Sequence, residues 1–295
     1  MNPFLPQCAE ESEAVPLGGI RAGISIGALF NRPPVDPVDL RILLGHALGL
    51  SHVQLVTQSE RRLDESEAAR VTLLVAKRQR GEPVAYIVGA RAFYGLPLFV
   101  TPDVLIPRPE TELLVELAVK FLPVDGSLLD LGTGSGAIAV AVARERPDVE
   151  VTATDISPAA LDVARRNADR HLGADRAVVF YQGAWFGALP AACRFDLIVS
   201  NPPYIRKDDA HLSQGDLRYE PAQALTDFSD GLSAFQALVA GAPDWLNPNG
   251  WLLMEHGYDQ AESVRELLAA SGFEAVQSWR DLAGIERVSG GIFAG

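Results

Sequence analysis

From Ser127 onward, short apolar runs alternate with helical stretches, and the first run, Leu128-Leu129-Asp130-Leu131, leads directly into Gly132-Thr133-Gly134-Ser135-Gly136. A run of a few apolar residues with no polar alternation suits a strand buried on both faces, and intervening helices supply the cover that a parallel sheet needs. The spacing predicts strands at Leu128–Leu131, Glu150–Thr154, Ala177–Tyr181, Phe195–Ser200, Trp251–Glu255, Phe273–Trp279 and Arg287–Phe293. The last two are joined by a short segment, so the final strand is expected to be antiparallel. The expected class is α/β, with an apolar content of 48% to form the core.

The glycine-rich turn is followed by a helix from Ala137 to Arg144, a combination that lets backbone N–H groups and a helix N-terminus approach a ligand. Nineteen residues after Gly136, at the end of the next strand, Asp155 is placed to accept hydrogen bonds from ribose hydroxyls. Strand, turn, helix, strand and acid together indicate a nucleoside cofactor. Gly132, Gly134 and Ala137 also satisfy a loosened dinucleotide fingerprint, so this segment leaves a nicotinamide enzyme and a methyltransferase both open.

A second stretch sits at the end of another predicted strand. Phe195-Asp196-Leu197-Ile198-Val199-Ser200 is followed by Asn201-Pro202-Pro203-Tyr204. Each proline fixes its own φ, removes an N–H and pushes its predecessor out of the helical region, which makes a stiff corner. The Asn201 side-chain oxygen and the Pro202 carbonyl are two acceptors that suit both hydrogens of one planar amino group, with Tyr204 against its face. An ordinary Pro-Pro turn closing a strand is the competing explanation. No hydride-transfer site is evident downstream, whereas this corner offers a place for an amino group to attack a methyl.

The formal charge of −13 over 295 residues disfavours broad electrostatic binding to nucleic acid or to anionic membranes. Cys8 and Cys193 belong to no CxxC or Cys/His spacing, so neither a metal site nor a disulfide framework is expected, and a reducing cytoplasm is the natural compartment. Glu10, Glu11 and Glu13, with no basic n-region, argue against a signal peptide, and no uncharged apolar run reaches membrane-spanning length.

Residues 1–35 are poorly patterned, interrupted by prolines and glycines, and a partly mobile start is expected. Helical spacing begins with Leu40, Leu43, Leu44, Ala47 and Leu48, with Gly49 as a stop, and a second amphipathic helix is predicted from about Glu65 to Arg80. His46 and His52 have no ligand partners nearby. Arg61, Arg62, Lys77, Arg78 and Arg80 read as a solvated helix face rather than a docking surface. The expected division is a small helical N-terminal domain over 1–88, a β-hairpin linker over 89–108 turning at Gly95-Leu96-Pro97, and a catalytic domain over 109–295. A helix is predicted from Glu110 to about Phe121, where capping alone would explain Glu110 and Glu112.

Gly132-Thr133-Gly134-Ser135-Gly136, Asp155-Ile156-Ser157 and Phe195 through Ile205 resemble a class I S-adenosylmethionine-dependent methyltransferase. The flanks narrow the resemblance: Gly81 to Ile87, Phe93-Tyr94-Gly95-Leu96, Ile106 to Glu112, Glu220-Pro221 with Ala224-Leu225, and Glu255-His256-Gly257 resemble the peptide-chain-release-factor glutamine methyltransferases, the HemK/PrmC family. The resemblance spans about residues 36 to 295. It implies a Rossmann-like seven-stranded methyltransferase sheet with a helical, substrate-recognising N-terminal domain, and N5-methylation of the glutamine in the Gly-Gly-Gln loop of release factors. The implied cofactor is S-adenosylmethionine, with S-adenosylhomocysteine as product.

By position, Gly132, Thr133, Gly134, Ser135 and Gly136 would wrap the cofactor, Asp155 would bind its ribose, and Trp185 matches the aromatic placed at the adenine. A core or lid tryptophan is the plain reading of Trp185. Asn201 and the Pro202 carbonyl would hold the glutamine amide beside the cofactor's methyl, with Pro203 and Tyr204 completing the substrate side. The family commonly has an acid before this tryptophan; here the residue is Ala184. Two rivals carry distinct expectations: an adenine-N6 nucleic-acid methyltransferase, which would need base flipping and a basic groove, and a non-catalytic binding module, which would bind no S-adenosylmethionine.

Overall fold

The computed structural model describes residues 19–173, 178–191 and 193–295. The chain divides into two compact units, Met1–Val88 and Gly89–Gly295. Expectations for residues 1–18, Cys8 among them, lie outside the described residues.

The first unit contains α1 (Ile26–Asn31), α2 (Pro37–Leu48), α3 (His52–Thr57), α4 (Glu65–Gln79) and α5 (Val84–Val88). Leu40, Leu43 and Leu44 on α2 pack with Ile26, Leu29, Leu55, Val71 and Val75, all buried. Asp36 accepts from the Val38 N–H ahead of Pro37, and Gly49 ends α2 in the left-handed region at φ 65°. Asp64 and Glu67 form a reciprocal capping box at the start of α4, as Ser51 and Gln54 do for α3. Sequence periodicity finds α2 and α4 but not α1, α3 or α5, because five or six residues are too few to display a period of 3.6; only the Ser25 and Ser51 caps betray α1 and α3.

The basic cluster of this unit is largely paired within it. Arg61 is bridged to Glu67, Lys77 to Glu82 and Arg78 to Asp39, while Arg62 donates to the Gly23 carbonyl. Among the described residues, no helix is long and apolar enough to cross a membrane.

The second unit opens with a hairpin of β1 (Ala90–Phe93) and β2 (Leu96–Phe99). Tyr94 and Gly95 both have positive φ, 47° and 72°, as a two-residue hairpin with the twist of its strands requires. The hairpin is no free-standing linker: Phe93, Leu96 and Leu98 are core residues of this unit. The turn Pro109–Thr111 is 3-10, and α6 (Glu112–Phe121) starts two residues later than the sequence predicts. Glu112 does more than cap, since its Oε1 accepts from the Tyr94 N–H at 2.8 Å and ties hairpin to helix.

There follow β3 (Ser127–Leu131), α7 (Ala137–Glu145), β4 (Glu150–Asp155), α8 (Pro158–His171), β5 (Val178–Gln182), β6 (Phe195–Ser200), α9 (Ala222–Leu225), α10 (Ser233–Gly241), β7 (Leu246–Glu255), α11 (Ala261–Ala270), β8 (Phe273–Arg280) and β9 (Glu286–Phe293). They build a seven-stranded sheet of order β5-β4-β3-β6-β7-β9-β8. β3 through β7 pair in parallel, and β9 is antiparallel to both its neighbours. Alternation along β6 serves two cores: Leu197 and Val199 pack with α6 and α7, Ile198 with Phe235 and Leu238 of α10 and Val264 and Leu268 of α11. Strand order reverses between β3 and β6, so their C-terminal ends leave a crevice between diverging connections.

Candidate active site

The crevice is lined on one side by Gly132, Thr133, Gly134, Ser135, Asp155 and Trp185, and on the other by Arg108, Thr111, Asn201 and Pro203. The glycine turn is folded by its own backbone. The N–H groups of Gly132 and Thr133 both donate to the Thr154 carbonyl at 2.9 Å, and Gly136 N–H donates to Thr133 O at 2.8 Å. Gly132 sits at φ 75°, a left-handed backbone that favours glycine, and the Trp185 ring lies against the turn there. Trp185 itself holds φ 47°, a costly conformation for an aromatic residue and a mark of local constraint. Gly136 (φ 78°) is not in the crevice lining; a Cβ there would lie 3.0 Å from that of Ala164, so it serves the close approach of α7 and α8.

Asp155 is braced by the chain around it. Oδ2 accepts from Gly134 N–H and Oδ1 from Ser157 N–H, each at 2.9 Å. Burial raises its pKa while these backbone donors oppose the rise. A carboxylate offers about four acceptor positions, so two remain for ligand hydroxyls. A bare backbone turn, an aromatic wall and a braced acid form a donor and acceptor set that fits a nucleoside.

Two residues not singled out from sequence stabilise this end. Asp130, fully buried, accepts from the Thr133 hydroxyl at 2.7 Å; burial pushes its carboxyl up to about 7, and Oδ1 has no partner among the described residues. A charge inside Leu-Leu-Asp-Leu was the available signal. Asn167 of α8, 0% exposed, accepts from Phe99 N–H and donates to the carbonyls of Phe99 and Ser135, so one side chain joins the hairpin to the turn.

At the opposite end, the Ser200 hydroxyl donates to Leu131 O at 2.7 Å and fastens β6 to β3 just before the corner. Asn201 Nδ2 donates to the Thr111 hydroxyl oxygen at 3.1 Å. Thr111 is buried and makes no side-chain cap to α6; its hydroxyl serves Asn201 instead. Glu255, at the end of β7, is 1% exposed, and its carboxylate lies beside the Thr111 and Asn201 side chains, both of which favour its charged form. Burial nevertheless pushes it up to about 7, and Oε2 lacks a partner among the described residues.

Pro203 lines the crevice, whereas Pro202 is buried and the Tyr204 ring packs against the α10 and α11 core layer. Burial first, and Glu255 second, raise the Tyr204 phenol above its usual range, so it stays neutral. Gln260 fixes the exit from the corner: Nε2 donates to Tyr204 O at 3.1 Å and Gly231 O at 3.0 Å, and Oε1 accepts from Gly257 N–H at 2.9 Å. Arg108 pairs with buried Glu220, whose Oε2 accepts from Ile106 N–H at 2.9 Å, binding the segment before α6 to the one before α9.

Residues 109–217 match the Methyltransferase small domain family, and residues 31–89 match the PrmC N-terminal domain family. A Burkholderia pseudomallei protein described as a release factor glutamine methyltransferase is 54% identical over 90% of this chain and 95% of its own length. One from Bordetella pertussis, with the same description, is 53% identical over 89% of this chain and 97% of its own. Among solved structures, a methyltransferase from Pyrococcus furiosus aligns with 75% of this chain and 97% of its own at a TM-score of 0.52 and 23% identity, a likeness of fold.

Proposed function

The chain belongs to the release factor glutamine methyltransferases, and on that premise we propose that Asn201 Oδ1 and the Pro202 carbonyl receive the two N–H bonds of a release factor's glutamine amide. Gly132 through Ser135, Asp155 and Trp185 hold the cofactor opposite, while Gly136 lets α7 close on α8 behind them. When bound, S-adenosylmethionine supplies an electrophilic methyl group for nitrogen N5 and leaves as S-adenosylhomocysteine.

An amide nitrogen is a poor nucleophile because its lone pair is delocalised, so the protein's task is placement. Two acceptors on the amide hydrogens aim the nitrogen and meet the positive charge that grows on it. Asp155 and the glycine turn fix the other reactant, and Trp185 covers it against water. No general base is assigned: the methylated amide is acidic enough to give up its proton once the charge has formed.

The observation that carries this reading is the use of Asn201 Nδ2 by Thr111, which leaves Oδ1 as the acceptor of that amide at the crevice. The helical unit, Met1–Val88, is assigned to recognition of the release factor, and a cytoplasmic site of action follows from such a substrate. The adenine-N6 alternative is not favoured, because it would need a basic groove and the chain carries a formal charge of −13. Purified protein, labelled S-adenosylmethionine and a release factor, with mass mapping of the product, test the proposal. The label is expected on the Gly-Gly-Gln glutamine, and a label on any other residue counts against it.

A further inference from the structure

Behind the corner lies a carboxylate that the proposed clamp does not itself use. Glu255 ends the apolar run Leu252-Leu253-Met254 and does not line the crevice. A buried carboxylate needs donors, and the donor side chains beside it are the two on which the clamp depends, Thr111 and Asn201.

Donor counting gives this cluster a direction. An ionised carboxylate only accepts, a hydroxyl both donates and accepts, and an asparagine amide donates only through Nδ2. Thr111 Oγ1 accepts from Asn201 Nδ2, so the Thr111 proton is left for Glu255. An Asn201 amide turned the other way would set Oδ1 against the carboxylate, acceptor to acceptor. A protonated Glu255 could donate instead, through Thr111 or directly, and would tolerate the turned amide, which presents N–H groups to a substrate that itself brings N–H groups.

We infer that ionised Glu255 is a positioning residue for methyl transfer: directly and through the Thr111 hydroxyl, it fixes the Asn201 amide with Oδ1 toward the substrate nitrogen. The inference rests on the amide-clamp reading above. Around Glu255, Glu110 disfavours the charge and Arg287 of β9 favours it. Tyr204 is kept neutral by burial, and His256, the next residue in the chain, has its pKa lowered by burial. Burial dominates, and the carboxyl titrates at about 7. Since the raised pKa leaves the group neutral below that value, turnover should rise with pH through about 7 and fall by about tenfold per unit well below it.

The test is single-turnover methylation of a purified release factor with labelled S-adenosylmethionine from pH 5.5 to 8.5, using full-length wild type, Glu255→Gln, Glu255→Ala and Asn201→Ala. Cofactor Kd is measured by calorimetry alongside. Glutamine can present Oε1 to Thr111 and Asn201 without titrating. Glu255→Gln is therefore expected to keep a plateau within about tenfold of wild type and to lose the acid limb, while Glu255→Ala falls by about 100-fold. Cofactor Kd should stay within about threefold in both, since neither touches the glycine turn or Asp155.

An unchanged acid limb in Glu255→Gln, with Asn201→Ala inactive, overturns the positioning role and leaves the clamp standing. Wild-type turnover by Asn201→Ala overturns the clamp, and this inference with it. If Glu255→Gln does not fold, Thr111→Ser against Thr111→Val decides: the serine should restore the wild-type rate and the valine should not, and equal rates in the two overturn the inference.

Discussion

The two ends of the crevice are built from different parts of the chain. At the glycine end the fixed polar groups are mostly backbone: Gly132 and Thr133 N–H on Thr154 O, Gly134 and Ser157 N–H on Asp155. At the proline end they are side chains brought from three distant segments, Asn201, Thr111 and Glu255. The first arrangement follows from a local turn and one strand pairing, and its geometry is set as soon as β3 and β4 are in register. The second exists only after β6, β7 and the Pro109–Thr111 turn have all met. A ligand site made of backbone tolerates sequence change but little movement, while one made of side chains can be tuned by single substitutions.

This contrast can be broken most forcefully at Asn201. Asn201→Ala is expected to lower single-turnover methylation by about 1,000-fold while leaving cofactor Kd within about threefold, measured by rapid quench and calorimetry. A comparable loss of cofactor affinity would erase the division between the two ends. Asp155→Ala should do the reverse, weakening S-adenosylmethionine by about 10- to 100-fold through lost charge-assisted hydrogen bonds, with a smaller effect on the rate at saturation. Thr111→Val, nearly isosteric, should slow transfer by about tenfold with cofactor affinity unchanged, a smaller proline-end effect than that of Asn201. Smallest is Trp185→Phe, which keeps an aromatic wall and should raise cofactor Kd only severalfold by titration. Thermal melts separate all of these from Asn167→Ala, which should cost about 2 to 3 kcal/mol of stability by leaving buried groups of Phe99 and Ser135 unpaired.

The same contrast governs what could be read from the sequence. Strands β3 and β6 and the end of β7 were legible as short apolar runs closed by a glycine or a polar residue, although β7 begins at Leu246 rather than Trp251, and the turn with Asp155 was legible because its parts lie within 24 residues, from Gly132 to Asp155. Thr111 looked like a helix start, and nothing local says that its hydroxyl faces a residue 90 positions away. Glu255 stood out only as part of a family-like tripeptide, since its partners are set by tertiary packing. The late start of α6 has the same origin: Pro109 and Thr111 hold a tighter 3-10 turn that sets the Thr111 side chain on the corner. The hairpin read as a linker because its four-residue strands are short, although Phe93, Leu96 and Leu98 are as deeply buried as any core residue.

Gln260 draws one further consequence. A single side chain receives the backbone at Tyr204 and again at Gly231, so the stretch between them leaves and re-enters the fold at one staple. Lengthening a loop whose ends are already held together costs little entropy, about 0.6 kcal/mol for each doubling. Residues 206–219, ahead of the buried Glu220 that ties the chain back to Arg108 and Ile106, are therefore a segment in which insertions and deletions can accumulate, and substrate preference can diverge, without displacing the corner that precedes them. The lineage can rewrite this loop while the chemistry beside it stays in place.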